Sequence, residues 1–249
     1  MHLKTVQASA FRTVFEVLKD IINDVNVMFR PDGVTIMSLD TARVTLVHLH
    51  MPAENFEEYT CPTECIAGLN VANTYKLLKS VSNMDNLTMR IDDRYLLHVF
   101  IENPQKKSST SVEFRLLDIN EDQLSVPEIP MTILSTIPSV DFQRITRDMG
   151  NLAQDITITR REKTIEFECC GDFASQKTIL ECVDMCKPTK PIGNIFSLKY
   201  INMFTRATSL CSSVQLMQHA DDETMPIVFR YAVANLGELK FYLAAKVDS

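Results

Sequence analysis

The sequence contains no tryptophan, only six glycines in 249 residues, and nothing approaching the ~18 consecutive apolar residues of a membrane span. None of the glycines builds GxGxxG or a GxxxxGK loop closed by Ser or Thr, so no nucleotide-phosphate cradle is encoded. Neither GxSxG nor HExxH occurs, which removes the commonest hydrolase signatures. With ten prolines beside the six glycines, a fibrous or low-complexity chain is also excluded. Histidines are few, and His48, His50 and His98 sit in strand-like runs ("VTLVHLH", "YLLHVF") that suit a strand face better than a general base. Seven cysteines form no disulfide framework, and the odd count fits a reducing compartment. Cys61/Cys65 and Cys182/Cys186 share a C-x3-C spacing, yet zinc needs four ligands and no histidine lies near either pair in sequence. The expectation is no metal, no cofactor and no enzyme. The opening MHLKTVQASAF has neither an apolar h-region nor a lipidation motif, so a soluble intracellular protein is expected, without a membrane partner.

What is present is a sizeable apolar fraction, 45%, enough for one large core or two domains of roughly 120 residues. Periodicity predicts an amphipathic helix over 8–23, burying Phe11, Val14, Phe15, Leu18, Ile21 and Ile22. "VNVMF", "PDGVTIMSLD" and "RVTLVHLHM" follow as strands, with Pro31-Asp32-Gly33 as a turn. A second helix is predicted over 71–81, then strands "NLTMRID", "YLLHVFIE" and "TSVEFRLLD". The acidic, proline-punctuated "DINEDQLSVPEIPM" breaks both periodicities and suggests a linker. Then the pattern restarts: a helix over 139–153, strands "DITITR", "TIEFECC" and "ASQKTILECVD", a loop "MCKPTKPIGN", a helix near 197–208, and strands "SSVQLMQ", "PIVFRYAV" and "LKFYLAAK". Element order and spacing imply an internal repeat of two α+β halves.

The charges are arranged unevenly. The chain is acidic, with 32 Asp and Glu against 25 Lys and Arg. Yet every predicted helix carries a basic pair off its apolar stripe: Arg12 and Lys19, Lys76 and Lys79, Arg144 and Arg147, Lys199 and Arg206. Setting those eight aside leaves 17 basic side chains against 32 acidic ones. Solvation explains any one pair; four pairs on an otherwise acidic protein point to an electropositive working surface. With no base-reading motif, such a surface suits phosphate contacts.

"DGVTIMSLDTARVTLVHLHM", "LLDINEDQLSVPE", "FQRITRDMGNLAQDITI", "SLKYINMFTRATSLCSSVQL" and "LGELKFYLAAK", in this order from residue 6 onward, resemble the eukaryotic-type DNA sliding clamps of the proliferating cell nuclear antigen family. The resemblance implies an α+β chain of two topologically similar clamp domains, each with two helices packed on antiparallel sheet. Their bounds would be 1–117 and 134–249, with an interdomain connector over 118–133. Three chains would assemble head to tail into a ring around duplex DNA. The eight basic residues would line its channel, and "STSVEFRLL" (about 110–117) would pair with "ASQKTILEC" (about 174–182) of the next subunit. Carried over residue by residue, a partner-docking pocket would comprise Leu39, Arg43, Val44 and Leu46, connector residues Leu124, Val126 and Pro127, and Pro226, Tyr242, Leu243 and Ala244. The implied partners are DNA polymerase and other proteins with a short clamp-binding motif, and a separate ATP-dependent clamp loader. The implied compartment is the nucleus, or a cytoplasmic viral replication site if the source is a large DNA virus.

Departures are visible. Arg43 stands where the family usually has His, Leu39 where Met is usual, and Ala245 where "LAPK" carries proline. The family's modified lysine would align near Glu162, beside Lys163. "HADDET" (219–224) has no assigned role. The alternative within the fold is a subunit of a heterotrimeric checkpoint-type clamp, which would not close a ring alone. An unrelated enzyme would announce itself by a bound metal or cofactor.

Overall fold

The computed structural model describes residues 1–93, 95–120, 124, 133–182, 188, 190–219 and 224–246. The chain forms two compact units, Met1–Thr41 with Val47–Leu124 and Ala232–Leu239, and Ala42–Leu46 with Ser125–Tyr231 and Lys240–Ser249.

In chain order the first half holds β1 (His2–Thr5), α1 (Ala8–Leu18), β2 (Asp24–Arg30), β3 (Gly33–Leu39), β4 (Thr45–Pro52), β5 (Glu58–Thr60), β6 (Cys65–Asn70), α2 (Val71–Leu78), β7 (Asn86–Arg90), β8 (Leu96–Asn103) and β9 (Ser108–Arg115). The second holds β10 (Ile133–Pro138), α3 (Ser139–Gly150), β11 (Asp155–Arg160), β12 (Thr164–Cys170), β13 (Ser175–Glu181), β14 (Ile192–Ser197), α4 (Leu198–Phe204), β15 (Ser213–Gln218), β16 (Ile227–Val233) and β17 (Gly237–Leu243). Apart from the short β5, the two halves share one order of elements. Their sheets share an order too: β1–β7–β8–β9 matches β10–β15–β16–β17, and β6–β2–β3–β4 matches β14–β11–β12–β13. Ala8 and Ser139 open equivalent helices 131 positions apart, and Val71 and Leu198 open the other pair 127 apart. The internal repeat expected from element spacing is therefore a repeat of topology.

Local chemistry explains the elements. The β2–β3 hairpin pairs Arg30 with Gly33 across Pro31-Asp32. Gly33 has φ +146°, and a Cβ there would sit 2.2 Å from the Met51 carbonyl oxygen, so only glycine fits. The Tyr59 hydroxyl reaches the Arg30 and Gly33 carbonyls, at 2.6 and 2.8 Å, and fastens the turn. Helix α2 begins at a capping asparagine, Asn70, whose side chain accepts from the Asn73 N–H at 3.0 Å. On α1 the stripe of Phe11, Val14, Phe15 and Leu18 is buried, as its periodicity requires.

Each helix pair packs between sheet layers. In the first unit Phe11, Val14 and Phe15 gather with Val27 and Ile36 of one layer and Met89 and Val99 of the other. In the second, Phe142 of α3 lies 5.7 Å from Phe229 and 5.9 Å from Phe167, ring centre to ring centre. Phe204 of α4 lies 5.6 Å from Phe229 and stacks on Phe241 at 4.5 Å. Such aromatic pairs contribute about 0.5–1.5 kcal/mol each beyond their buried area.

The structure corrects several expected boundaries. All four helices are shorter than their apolar stripes. After α1, the Ile21 and Ile22 N–H groups donate to the Leu18 carbonyl in a tight turn, keeping both side chains buried outside the helix. Val81 does the same after α2 by donating to Leu78. Helix α4 stops at Phe204 and tightens into a 3-10 segment, Thr205–Leu210. Strands β1, β5, β6, β10 and β14 are additions. The connector bounds implied by the resemblance, 118–133, overlap β10 by one residue, Ile133.

Candidate nucleic-acid interface and docking residues

The eight basic residues occupy the helices and their ends, but the structure holds them in different ways. On α1, the Arg12 Nη1 donates to the Val81 carbonyl at 2.8 Å, tying α1 to the chain just beyond α2. Lys19 caps the C-terminal end of α1 and places its Nζ 4.3 Å from the centre of the Tyr75 ring on α2. On α2, Lys76 is exposed and donates to Asn73 Oδ1 at 3.3 Å, while Lys79 is exposed at the helix end. On α3, the Arg144 and Arg147 side chains are 60% and 68% exposed. Their acidic neighbours Asp141 and Asp148 stand 3.4 and 3.7 Å away, and surface pairs of this kind leave the cations available to another anion. Lys199 on α4 is exposed, 6.0 Å from the Tyr200 ring centre. Arg206 is exposed too, in the 3-10 segment and not in α4.

The sequence missed the aromatic component. Tyr75 is a single residue in "VANTYKLLKSV", 56 positions from Lys19, and only the packing of α1 on α2 brings them together. Its hydroxyl proton is held above the ordinary tyrosine range, first by burial and then by the Glu16 carboxylate, which accepts from it.

Of the expected docking residues, Val44 and Ala244 are joined by a backbone bond. The Ala244 N–H donates to the Val44 carbonyl at 3.1 Å, which sets Arg43–Leu46 beside the end of β17. Arg43 is exposed and takes a left-handed turn conformation, φ +56°. Val44, Leu46, Pro226 and Tyr242 are half-buried and Ala244 is exposed, whereas Leu243 is fully buried core. In the first unit, Leu39 ends β3 half-buried and Leu124 is 38% exposed. Val126 and Pro127 lie outside the described residues. The start of the expected connector is anchored: Leu117 donates to the Gly68 carbonyl at 2.8 Å, and Asn26 Nδ2 donates to the Ile119 carbonyl at 3.0 Å.

Among the described residues β9 pairs only with β8, and β13 only with β12. Both leave a row of backbone groups open, and Ile179 on β13 is 54% exposed. Cys61, Cys65, Cys169, Cys170, Cys182 and Cys211 carry free thiols, and no group of three His, Cys, Asp or Glu able to hold a metal occurs among the described residues. Cys186 and residues 185–187 and 189 of "MCKPTKPIGN" lie outside them. No helix there is long and apolar enough to cross a membrane.

A topologically duplicated α+β chain with basic helix faces defines a protein of the DNA-clamp class. The family model described as "Proliferating cell nuclear antigen, N-terminal domain" matches residues 1–124, and the one for its C-terminal domain matches 125–246. A protein of Paramecium bursaria Chlorella virus 1, named "Probable DNA polymerase sliding clamp 1", is 34% identical over 98% of this chain and 95% of its own length. The chain belongs to the proliferating cell nuclear antigen family, whose members are non-enzymatic scaffold proteins.

Proposed function

We propose that this protein is a DNA sliding clamp: a homotrimeric ring that encircles duplex DNA and tethers a DNA polymerase and other replication and repair proteins. The observation that carries this reading is the duplicated topology, with cations on all four helices or their immediate ends and two unpaired edges, β9 and β13, in opposite halves of the chain. Pairing β9 of one copy with β13 of the next uses different surfaces on the two partners, so the contact propagates head to tail and closes only at the right rotation. Three two-domain chains then give six repeats around one channel.

The chemistry needed is modest. Diffuse Lys and Arg contacts to phosphate are weak, independent of sequence and sensitive to salt, which lets a ring slide. Retention comes from encirclement and requires no catalytic residue. Opening the ring falls to a separate ATP-dependent loader. Clients bring a short plug of aliphatic and aromatic side chains to the surface that includes Arg43–Leu46, Pro226 and Tyr242–Ala244, in the helix-in-groove manner. The acidic connector suits clients with basic flanks, and Arg43 in place of histidine alters client preference at that rim. The site of action is a site of DNA replication: the nucleus, or a cytoplasmic viral replication site.

Native mass at micromolar concentration tests the assembly. The chain mass is 28.3 kDa, so three copies give about 85 kDa. A stable 28.3 kDa species would contradict self-closure and favour a heteromeric, checkpoint-type ring.

A further inference from the structure

The two repeats share one helix–helix contact and differ at the next. Arg12 and Gln143 are equivalent, 131 positions apart. Both donate a side-chain N–H to a carbonyl just beyond the partner helix, Arg12 to Val81 at 2.8 Å and Gln143 to Thr205 at 2.9 Å. This position is a clip between helices in both halves. The next contact along, Lys19 with Tyr75, corresponds by the same offsets to Gly150 with Asn202. There the second repeat packs so closely that a Cβ on Gly150 would stand 2.6 Å from Asn202 Nδ2. The first repeat instead places a lysine ammonium over an aromatic face, 4.3 Å from its centre. Glu16, one turn before Lys19, takes the hydroxyl of the same ring. The ring is thus fixed at its polar end, and its face is left to the lysine.

We infer that Tyr75 is a positioning residue for the nucleic-acid surface: it holds the Lys19 ammonium at a fixed place on the α1–α2 face, ready for a DNA phosphate. The inference rests on the proposed reading of Lys19 as a phosphate contact. A lysine on a flexible four-carbon stem loses much rotamer freedom when it engages a phosphate, and a partner that has already ordered it removes part of that loss. An ammonium retains unused N–H donors above a π face, so one phosphate oxygen can bind it without displacing the ring.

The test is the affinity of the assembled protein for a fluorescent blunt-ended duplex, measured by anisotropy across a salt series. The variants are K19A, Y75L, Y75F and K19A/Y75L. From the strength of a partly exposed cation–π contact, Y75L is expected to weaken binding about two- to fivefold. Y75F, which keeps the ring, should restore most of that loss, and the double variant should be no weaker than K19A alone. Full affinity in Y75L while K19A is impaired overturns the positioning role, as does simple multiplication of the two single losses. Full affinity in K19A overturns the underlying reading of Lys19. Melting temperature and native mass identify any variant that has lost its fold; if Y75L is one, Tyr75→Met, which also removes the ring, replaces it in the same comparison.

Discussion

Gly68→Ala should release the start of the connector without unfolding the domain. An added Cβ would lie 2.1 Å from the Leu117 carbonyl oxygen and 2.9 Å from its carbon, so the two backbones must separate by about 1 Å. Forcing packed neighbours apart costs about 1–3 kcal/mol. Peeling Leu117–Ile119 away instead forfeits the 2.8 Å bond from Leu117 to Gly68 and the 3.0 Å bond from Asn26 to Ile119, about 1 kcal/mol each. Leu117 is already 44% exposed, so peeling loses little apolar burial. The segment is therefore expected to peel, lowering the unfolding free energy by about 2 kcal/mol and abolishing protection of the Leu117 amide. Urea denaturation with amide hydrogen exchange reads both quantities, and client-peptide affinity should fall with them. A Leu117 amide as protected as before, with stability within about 0.5 kcal/mol of the parent, would refute the reasoning.

Other perturbations reach different parts of the chain. Phe229→Ala removes a fully buried ring that contacts Phe142 and Phe204, and should cost about 3–5 kcal/mol in thermal or urea unfolding; a loss below about 1 kcal/mol would contradict the described core. Asp85 is opposed by burial, yet the Ser82 amide at 2.7 Å and the Asn103 side chain hold its carboxyl below the usual range. Its contribution is therefore fully present above the unfolded carboxylate value, near ~4, and is lost as pH falls through the lower folded value. Asp85→Asn should flatten acid unfolding in that window, and an unchanged pH profile would count against it. Replacing Arg144 and Arg147 together by alanine should make the salt dependence of DNA binding shallower by about 0.9 per lost phosphate contact. An unchanged slope would remove α3 from the DNA surface.

The strands legible in the sequence are those bounded by turn residues. Four of the missed ones share a physical reason. β6 runs directly into α2 at Asn70–Val71, β10 into α3 at Pro138–Ser139, and β14 into α4 at Ser197–Leu198, while β1 is only two residues from α1. With little or no loop between strand and helix, Asn70 and Pro138 read as helix starts and the helical period masks the strand before it. β5 is three residues long and carries no period at all. Helix ends were read too long because Ile21, Ile22 and Val81 remain buried after the backbone has turned, and periodicity reports burial, not hydrogen bonding. The basic helix faces were legible because charge against an apolar stripe is a local signal. Tyr75 and the Gly68 anchor were not, since both act on residues about 50 positions away in sequence.

The central claim is topological, so the most direct measurement compares DNA of different topology. The protein is placed by a clamp loader on a nicked circular duplex, then washed in salt strong enough to screen phosphate contacts. An encircling ring stays on the circle and leaves at once when a nuclease linearises the DNA. Release from the intact circle at the same salt, or equal retention on linear and circular DNA, would contradict encirclement.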